Sequence, residues 1–197
     1  MRYRIAIKGL APIIHHNGAA GLDNRSPANI EKAEIARKKG SNRTETDDDR
    51  LRELECQTAL WLDSSGAATV PPAALRACIE EAARKLKQGP QVREGLIVTA
   101  VEEFRYDRSL GTTVEQLGKS VQFTTGVVVQ RNRILRTRAK FDEWGVVFTV
   151  ECDDELVDRD QIITWLDIAG RRIGLGDWRP TKSGHYGRFE TESVEAY

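Results

Sequence analysis

What the chain lacks narrows it before any pattern is read. Its three cysteines, Cys56, Cys78 and Cys152, are odd in number, far apart and beside no paired histidines. That spacing suits reduced thiols and offers neither a disulfide frame nor a zinc site. No apolar run reaches the length of a membrane span, and the opening Met-Arg-Tyr-Arg-Ile-Ala-Ile-Lys has no continuous apolar core of a signal peptide. The expectation is a cytoplasmic protein with no membrane partner. Neither sign of charge is in excess, since 30 Lys and Arg balance 30 Asp and Glu. That argues against indiscriminate nucleic-acid binding. Repeats and low-complexity tracts are also missing, and at 197 residues the chain fits a single domain, 1–197, with a sizeable insertion.

Tyr3, Ile5 and Ile7 alternate with polar or small residues and predict an opening half-buried strand. After Gly9 and Pro12 comes Ile13-Ile14-His15-His16-Asn17-Gly18. Adjacent histidines point in different directions, and no Glu-x-x-His or Cys pair completes a ligand set. A metal and a cofactor are therefore not expected. A loop histidine touching a partner remains the reading for this pair, with general-base chemistry as the alternative.

Residues 19–57 read as an inserted, partly irregular segment. Asn29 to Lys39 suits a short charged helix ended by Gly40. Ser41 to Asp49 is polar, and Asp48 or Asp49 is placed to cap a helix carrying Leu51 and Leu54. Leu60 to Val70 reads as a hairpin around Ser64-Ser65-Gly66. Pro71-Pro72 suits a helix start. From there Leu75, Cys78, Ile79, Ala82 and Leu86 share one face, opposite Arg76, Glu80, Arg84 and Lys87, with Gly89-Pro90 as the stop. Gly95 to Val101 is apolar on both faces, which predicts a central strand. Residues 105–120 read as irregular. Strands follow at Phe123–Gln130, Ile134–Phe141 and around Val146, Phe148, Val150 and Cys152, then a helix from Leu156 to Ala169. The order suits an α+β fold of ferredoxin-like or RRM-like kind, an antiparallel sheet with helices on one face.

Zero net charge conceals a segregation. Between Lys119 and Lys140 lie six basic residues (Lys119, Arg131, Arg133, Arg136, Arg138, Lys140) and no acidic ones, whereas Asp142 to Asp160 holds eight acidic residues and one Arg. On a strand Arg136, Arg138 and Lys140 share a face at roughly 6–7 Å spacing, close to that of phosphates along a stretched single strand. A solvated face, or an interface with the acidic segment of the same or another copy, would look the same in sequence.

Near the C-terminus, Arg172-Ile-Gly-Leu-Gly-Asp-Trp-Arg-Pro-Thr-Lys-Ser-Gly-His-Tyr-Gly-Arg-Phe189 sets glycines among cations and aromatic rings. Successive N–H groups in such a loop can cup an anion, with Arg172, Arg179, Lys182 and Arg188 supplying the opposite charge. Gly174 and Gly176 allow close approach, and Trp178 and Tyr186 are rings on which a base can stack. A plain glycine-rich hairpin is the competing reading.

Four features in order resemble the RAMP superfamily of CRISPR-associated proteins, and within it the repeated backbone subunit that coats guide RNA. They are Gly9-Leu10 with His16-Asn17-Gly18-Ala-Ala-Gly21-Leu22-Asp23, then Val70-Pro-Pro-Ala-Ala-Leu75-Arg76, then the basic strand before Glu143-Trp-Gly-Val-Val-Phe-Thr-Val-Glu151, and last the glycine loop. The resemblance implies one or two RRM-like ferredoxin folds and RNA held through its backbone. It also implies self-association along the strand into a filament or ring, with other effector-complex subunits as partners. By position, His15, His16, Asn17, Ala73, Arg76, Arg131, Arg133, Arg136, Arg138, Lys140 and the glycine loop are the expected contacts. Pro72-Ala73-Ala74 departs from the family's Gly-Ser-Ser, which removes two hydroxyls. Asp23 matches a catalytic Asp of some members poorly.

The reading taken forward is a non-catalytic binder of single-stranded nucleic acid, RNA before DNA. Two alternatives stand beside it. One is a metal-independent endoribonuclease of the same superfamily, using His15 or His16 with Lys182. The other is a protein-interaction module whose basic strand docks an acidic partner.

Overall fold

Alternation at the N-terminus produces the first strand as expected. In the computed structural model, which describes residues 1–129 and 131–197, β1 spans Arg2–Gly9 with Tyr3, Ile5 and Ile7 buried. The remaining elements in chain order are β2 (Ile13–His15), α1 (Gly18–Leu22), α2 (Pro27–Arg37), α3 (Glu45–Ala59), α4 (Pro72–Arg84), α5 (Gly89–Gly95), β3 (Leu96–Tyr106), α6 (Val114–Ser120), β4 (Gln122–Val129), β5 (Asn132–Phe141), β6 (Trp144–Cys152), α7 (Arg159–Ile168) and β7 (Phe189–Ala196). Gln130, the predicted end of a strand, lies outside the described residues. The chain is α+β. Among the described residues no helix is long and apolar enough to cross a membrane.

The chain divides into two compact units. The first comprises Met1–Ile14, Thr69–Asp107 and Phe141–Tyr197; the second comprises His15–Ala68 and Arg108–Lys140.

The first unit holds an antiparallel sheet in the order β3-β6-β1-β7. Central β6 is buried along its length apart from Glu151. Helices α4 and α7 pack on one another, α4 also against β3 and α7 against β7. Leu75, Cys78, Ile79 and Ala82 are inward as predicted, but Leu86 falls beyond the end of the helix and is exposed. Glu80, expected outside, is 8% exposed. Arg84, one helical turn on, donates to its carboxylate, and Arg93 lies 3.7 Å away, so the buried charge is compensated. Gly89-Pro90 does not simply stop a helix. Pro90 takes an early position of α5, where a missing N–H costs nothing.

The predicted central strand is an edge strand. β3 has Ile97 62% exposed and is bulged between Val98 and Ala100 and between Val101 and Glu103. Bulges are a usual way to break a flat edge. The second bulge accompanies Glu102, which accepts from Arg4 Nε at 2.7 Å and from Thr149 Oγ1 at 2.8 Å. An apolar run on both sides resembles a buried strand in sequence, and only pairing distinguishes the two.

The second unit is organised on α3. Leu54, Cys56 and Ala59 are buried on it, and the helix packs against α1, α2, α6 and β4. Its cap is Thr44, not Asp48 or Asp49. The Thr44 hydroxyl accepts from Asp47 N–H while the Asp47 carboxylate accepts from Thr44 N–H, a reciprocal pair that starts the helix one turn early. Residues 19–57 are thus mostly helical, and part of the polar stretch 41–49 is a helix start. Residues 105–120 are not irregular throughout either, since β3 runs on to Tyr106 and α6 is capped by the same device at Thr113 and Gln116. The hairpin expected over 60–70 reduces to one bridge, Leu62 to Ala68. β4 and β5 form an antiparallel hairpin with Thr124 opposite Thr137 and Phe123 opposite Arg138.

Candidate nucleic-acid interface

Strand alternation divides β5 as the sequence requires. Thr137, Ala139 and Phe141 are fully buried, whereas Arg136 is exposed and Arg138 and Lys140 are half-buried. Leu135, expected inside with Thr137, is 64% exposed because the hairpin's far end is open, where Asn132, Arg131 and Arg133 are exposed too. Arg131 turns the hairpin with φ 69°. Residues paired across an antiparallel ladder share a face, so Phe123 and Thr125 stand on the basic face opposite Arg138 and Arg136. The Lys140 ammonium lies 5.3 Å from the Phe123 ring centroid, within cation–π range.

Beside this row the second unit has a cleft of about 680 Å³. Helical spacing brings Leu51, Glu55 and Thr58 to it from α3, and Lys32, Ala33 and Ala36 from α2. Gly18, Gly21 and Leu22 of α1 form a further wall, and Arg136 and Arg138 enter from β5. Glu55 is the hub. Its Oε1 accepts from Arg136 Nη1 at 2.9 Å and its Oε2 accepts from Thr137 N–H at 2.8 Å. Lys32 Nζ donates to Thr58 Oγ1 at 3.1 Å. Burial lowers the Lys32 pKa, the Glu55 carboxylate opposes that, and Arg136 and Arg138 add to it. Among the described residues Lys32, Arg136 and Arg138 line the cleft with the one carboxylate of Glu55, a set of side chains that suits an anionic ligand.

His16 and Asn17 join Arg136 and Arg138 at this cleft, so four of the sequence-predicted residues come together. His16 is exposed. Asn17 is largely committed to the fold, since its Oδ1 accepts from Ala20 N–H and its Nδ2 donates to Leu60 O, capping α1. His15 is fully buried. Its Nδ1 accepts from Trp61 N–H at 3.3 Å, its ring lies 4.7 Å from the Trp61 ring, and burial alone lowers its pKa from 6.5 to about 3. A ring sealed from solvent, with Nδ1 already accepting from Trp61 N–H, is out of reach of a bound strand, and burial disfavours the imidazolium that proton uptake would form. Asp23 is exposed and accepts from Arg25 N–H as part of the turn into α2. Lys32, Glu55 and Phe123 were missed in sequence. Pairing the two strands across Arg131-Asn132-Arg133 would have found Phe123.

The remaining predicted contacts belong to the first unit. Its glycine loop is closed on itself, which corrects the expectation of free N–H groups. Gly174 N–H donates to Ala169 O, Leu175 to Gly187 O, Asp177 to Ile14 O, Gly184 to Arg179 O, Tyr186 to Trp178 O and Gly187 to Pro12 O. Asp177 and Gly187 stitch the loop to the corner after β1 and the other four close it locally, so no backbone cup for an anion is left at those positions. Gly174, Gly176 and Gly187 carry positive φ, and a Cβ on Gly187 would strike Leu175 O. Arg179 Nη1 donates to Gly176 O. Arg172, Lys182 and Arg188 are exposed. The Trp178 and Tyr186 rings are half-buried, 6.2 Å apart, with His185 stacked on Tyr186 at 4.4 Å. Arg76 donates from Nε to Leu96 O and from Nη2 to Arg93 O, holding the end of α5. Two of the quoted motifs meet here, because Trp144 Nε1 donates to Ala11 O and its ring leaves no room for a Cβ on Gly9.

Among the described residues no group of three His, Cys, Asp or Glu is arranged to hold a metal ion. No model of a known protein family matches the chain, and no curated protein sequence matches it significantly.

Proposed function

We propose that the chain is a non-catalytic subunit that binds the backbone of single-stranded nucleic acid, RNA before DNA, and self-associates along the strand, as the RAMP backbone subunit does. The observation that carries this reading is the face of β5 on which Arg136, Arg138 and Lys140 stand in a row with Phe123 beside them. Regular cations interleaved with an aromatic ring suit phosphates and a stacked base, with no fixed scaffold for reading sequence. Exposed Arg131 and Arg133 add positive charge at the hairpin turn, although alternation sets Arg133 on the other face of β5. The first unit adds support. Its strands and helices run β-α-β-β-α-β through β1, α4, β3, β6, α7 and β7 in an antiparallel order with β1 and β6 inside. That order supports a ferredoxin-like arrangement, split βαβ units around a shared sheet, and we assign the unit to it.

Of the two histidines, the endoribonuclease reading with Lys182 retains His16, since His15 is buried. Size-exclusion chromatography with light scattering, with and without a long single-stranded RNA, tests the proposal. Co-elution of several protomers per strand is expected. A protein that ignores RNA, or a complex of one protomer at saturation, contradicts it.

A further inference from the structure

The cleft of the second unit separates its charge from its apolar surface. Helices α2 and α3 run antiparallel, with Lys32 bonded to Thr58 at one end and Lys38 paired with Asp47 at the other. Ala36 lies one turn beyond Lys32, and Leu51 one turn before Glu55, so both fall between those two pairs. The cationic end, with Lys32, Arg136 and Arg138, thus stands about one helical turn, roughly 5 Å, from an apolar end. Ala36 is small and exposed. A volume of about 680 Å³ lies within the range of small-molecule sites.

We infer that this cleft is a pocket for one nucleoside phosphate, with the base against Ala36 and Leu51 and the phosphate on Lys32 and Arg138. A planar apolar ring and a dianionic group, joined by a sugar one helical turn long, match the separation of the two ends. Lys32 is held in place by Thr58, and Lys32, Arg136 and Arg138 line the same cleft, so a phosphate there meets opposite charge. The proposal rests on the strand-binding reading, which it deepens: a nucleotide turned out of the strand on β5 has a place to go. A free mononucleotide has the same chemistry, and the experiment separates the two sources.

Titration calorimetry with adenosine 5′-monophosphate, adenosine and ribose 5-phosphate is the test. The monophosphate should bind, and the two fragments should each bind at least about tenfold more weakly. Ala36→Trp fills the apolar end from an exposed helix position, and Lys32→Gln removes a phosphate partner. Each should weaken the monophosphate about tenfold. Ribose 5-phosphate binding as tightly as the monophosphate would mean a plain anion site and overturn the pocket, as would Ala36→Trp behaving like wild type. If Ala36→Trp also weakens a short single-stranded RNA, the pocket takes a nucleotide of the strand; if only the monophosphate is lost, it takes a free one. Wild type that binds long RNA but no monophosphate at millimolar concentration sinks the pocket and leaves the strand reading standing. Monophosphate binding with no RNA binding sinks the strand reading instead.

Discussion

Glu55 holds Arg136, with Oε1 of the one 2.9 Å from Nη1 of the other. The same carboxylate accepts from Thr137 N–H, so Glu55 is anchored and 14% exposed while the Arg136 side chain is 45% exposed. The charge of Arg136 is therefore partly neutralised before any strand arrives. A phosphate must compete with Glu55 for it. Glu55→Gln keeps an acceptor for Thr137 and removes the competing charge. It should tighten RNA binding and steepen the dependence of log affinity on log salt by up to about 0.7, the increment for one phosphate contact on a single strand. Filter-binding titrations at several salt concentrations check this, and a weaker, shallower variant would mean that Glu55 serves binding in another way.

Acid should destabilise the second unit through His15. The unfolded chain takes up its proton near 6.5, the folded one near 3, because burial disfavours the imidazolium. Between those values the unfolded state binds more protons. The contribution of neutral His15 is full above about 6.5 and is lost as pH falls towards 3, by at most about 1.4 kcal/mol per pH unit. His15→Gln leaves an acceptor for Trp61 N–H that does not titrate. Chemical denaturation at pH 7 and about pH 5 should give a smaller difference for His15→Gln than for wild type. Equal differences would remove His15 as the cause.

Closure of the glycine loop makes its own demand. Gly187 has φ 67°, and its N–H donates to Pro12 O while its carbonyl accepts from Leu175 N–H. Gly187→Ala adds a left-handed penalty of about 1–2 kcal/mol, with a collision against Leu175 O besides. Thermal unfolding should show a clear loss of stability. An unchanged midpoint would mean that the loop is held less tightly than these bonds require.

Much of the fold was legible where periodicity and burial coincide. Tyr3, Ile5 and Ile7 gave β1, and Leu75, Cys78, Ile79 and Ala82 gave the inner face of α4. The edge position of β3 was not legible, because an apolar run carries no mark of how many neighbours it pairs with. Thr44 and Asp47 were hidden for another reason. Their polar stretch looks like loop, and only reciprocal hydrogen bonds reveal a helix start. The candidate site was half legible. Arg136 and Arg138 followed from charge and alternation, whereas Lys32 and Glu55 reach the cleft from helices whose packing the sequence did not disclose. The glycine loop suggested an anion cup from composition, but its donors went partly to carbonyls of the loop itself and partly to Pro12 and Ile14, far away in sequence.

The central claim is that the basic face of β5 contacts phosphates. Arg136→Ala combined with Arg138→Ala, titrated against single-stranded RNA of several sequences over a range of salt, tests it most directly. Two full contacts would lower the salt slope by about 1.4. Because Glu55 already shares Arg136, the fall should lie between about 0.7 and 1.4, with every sequence weakened alike. Unchanged affinity and slope in the double variant would make β5 a solvated or protein-facing strand and contradict the account.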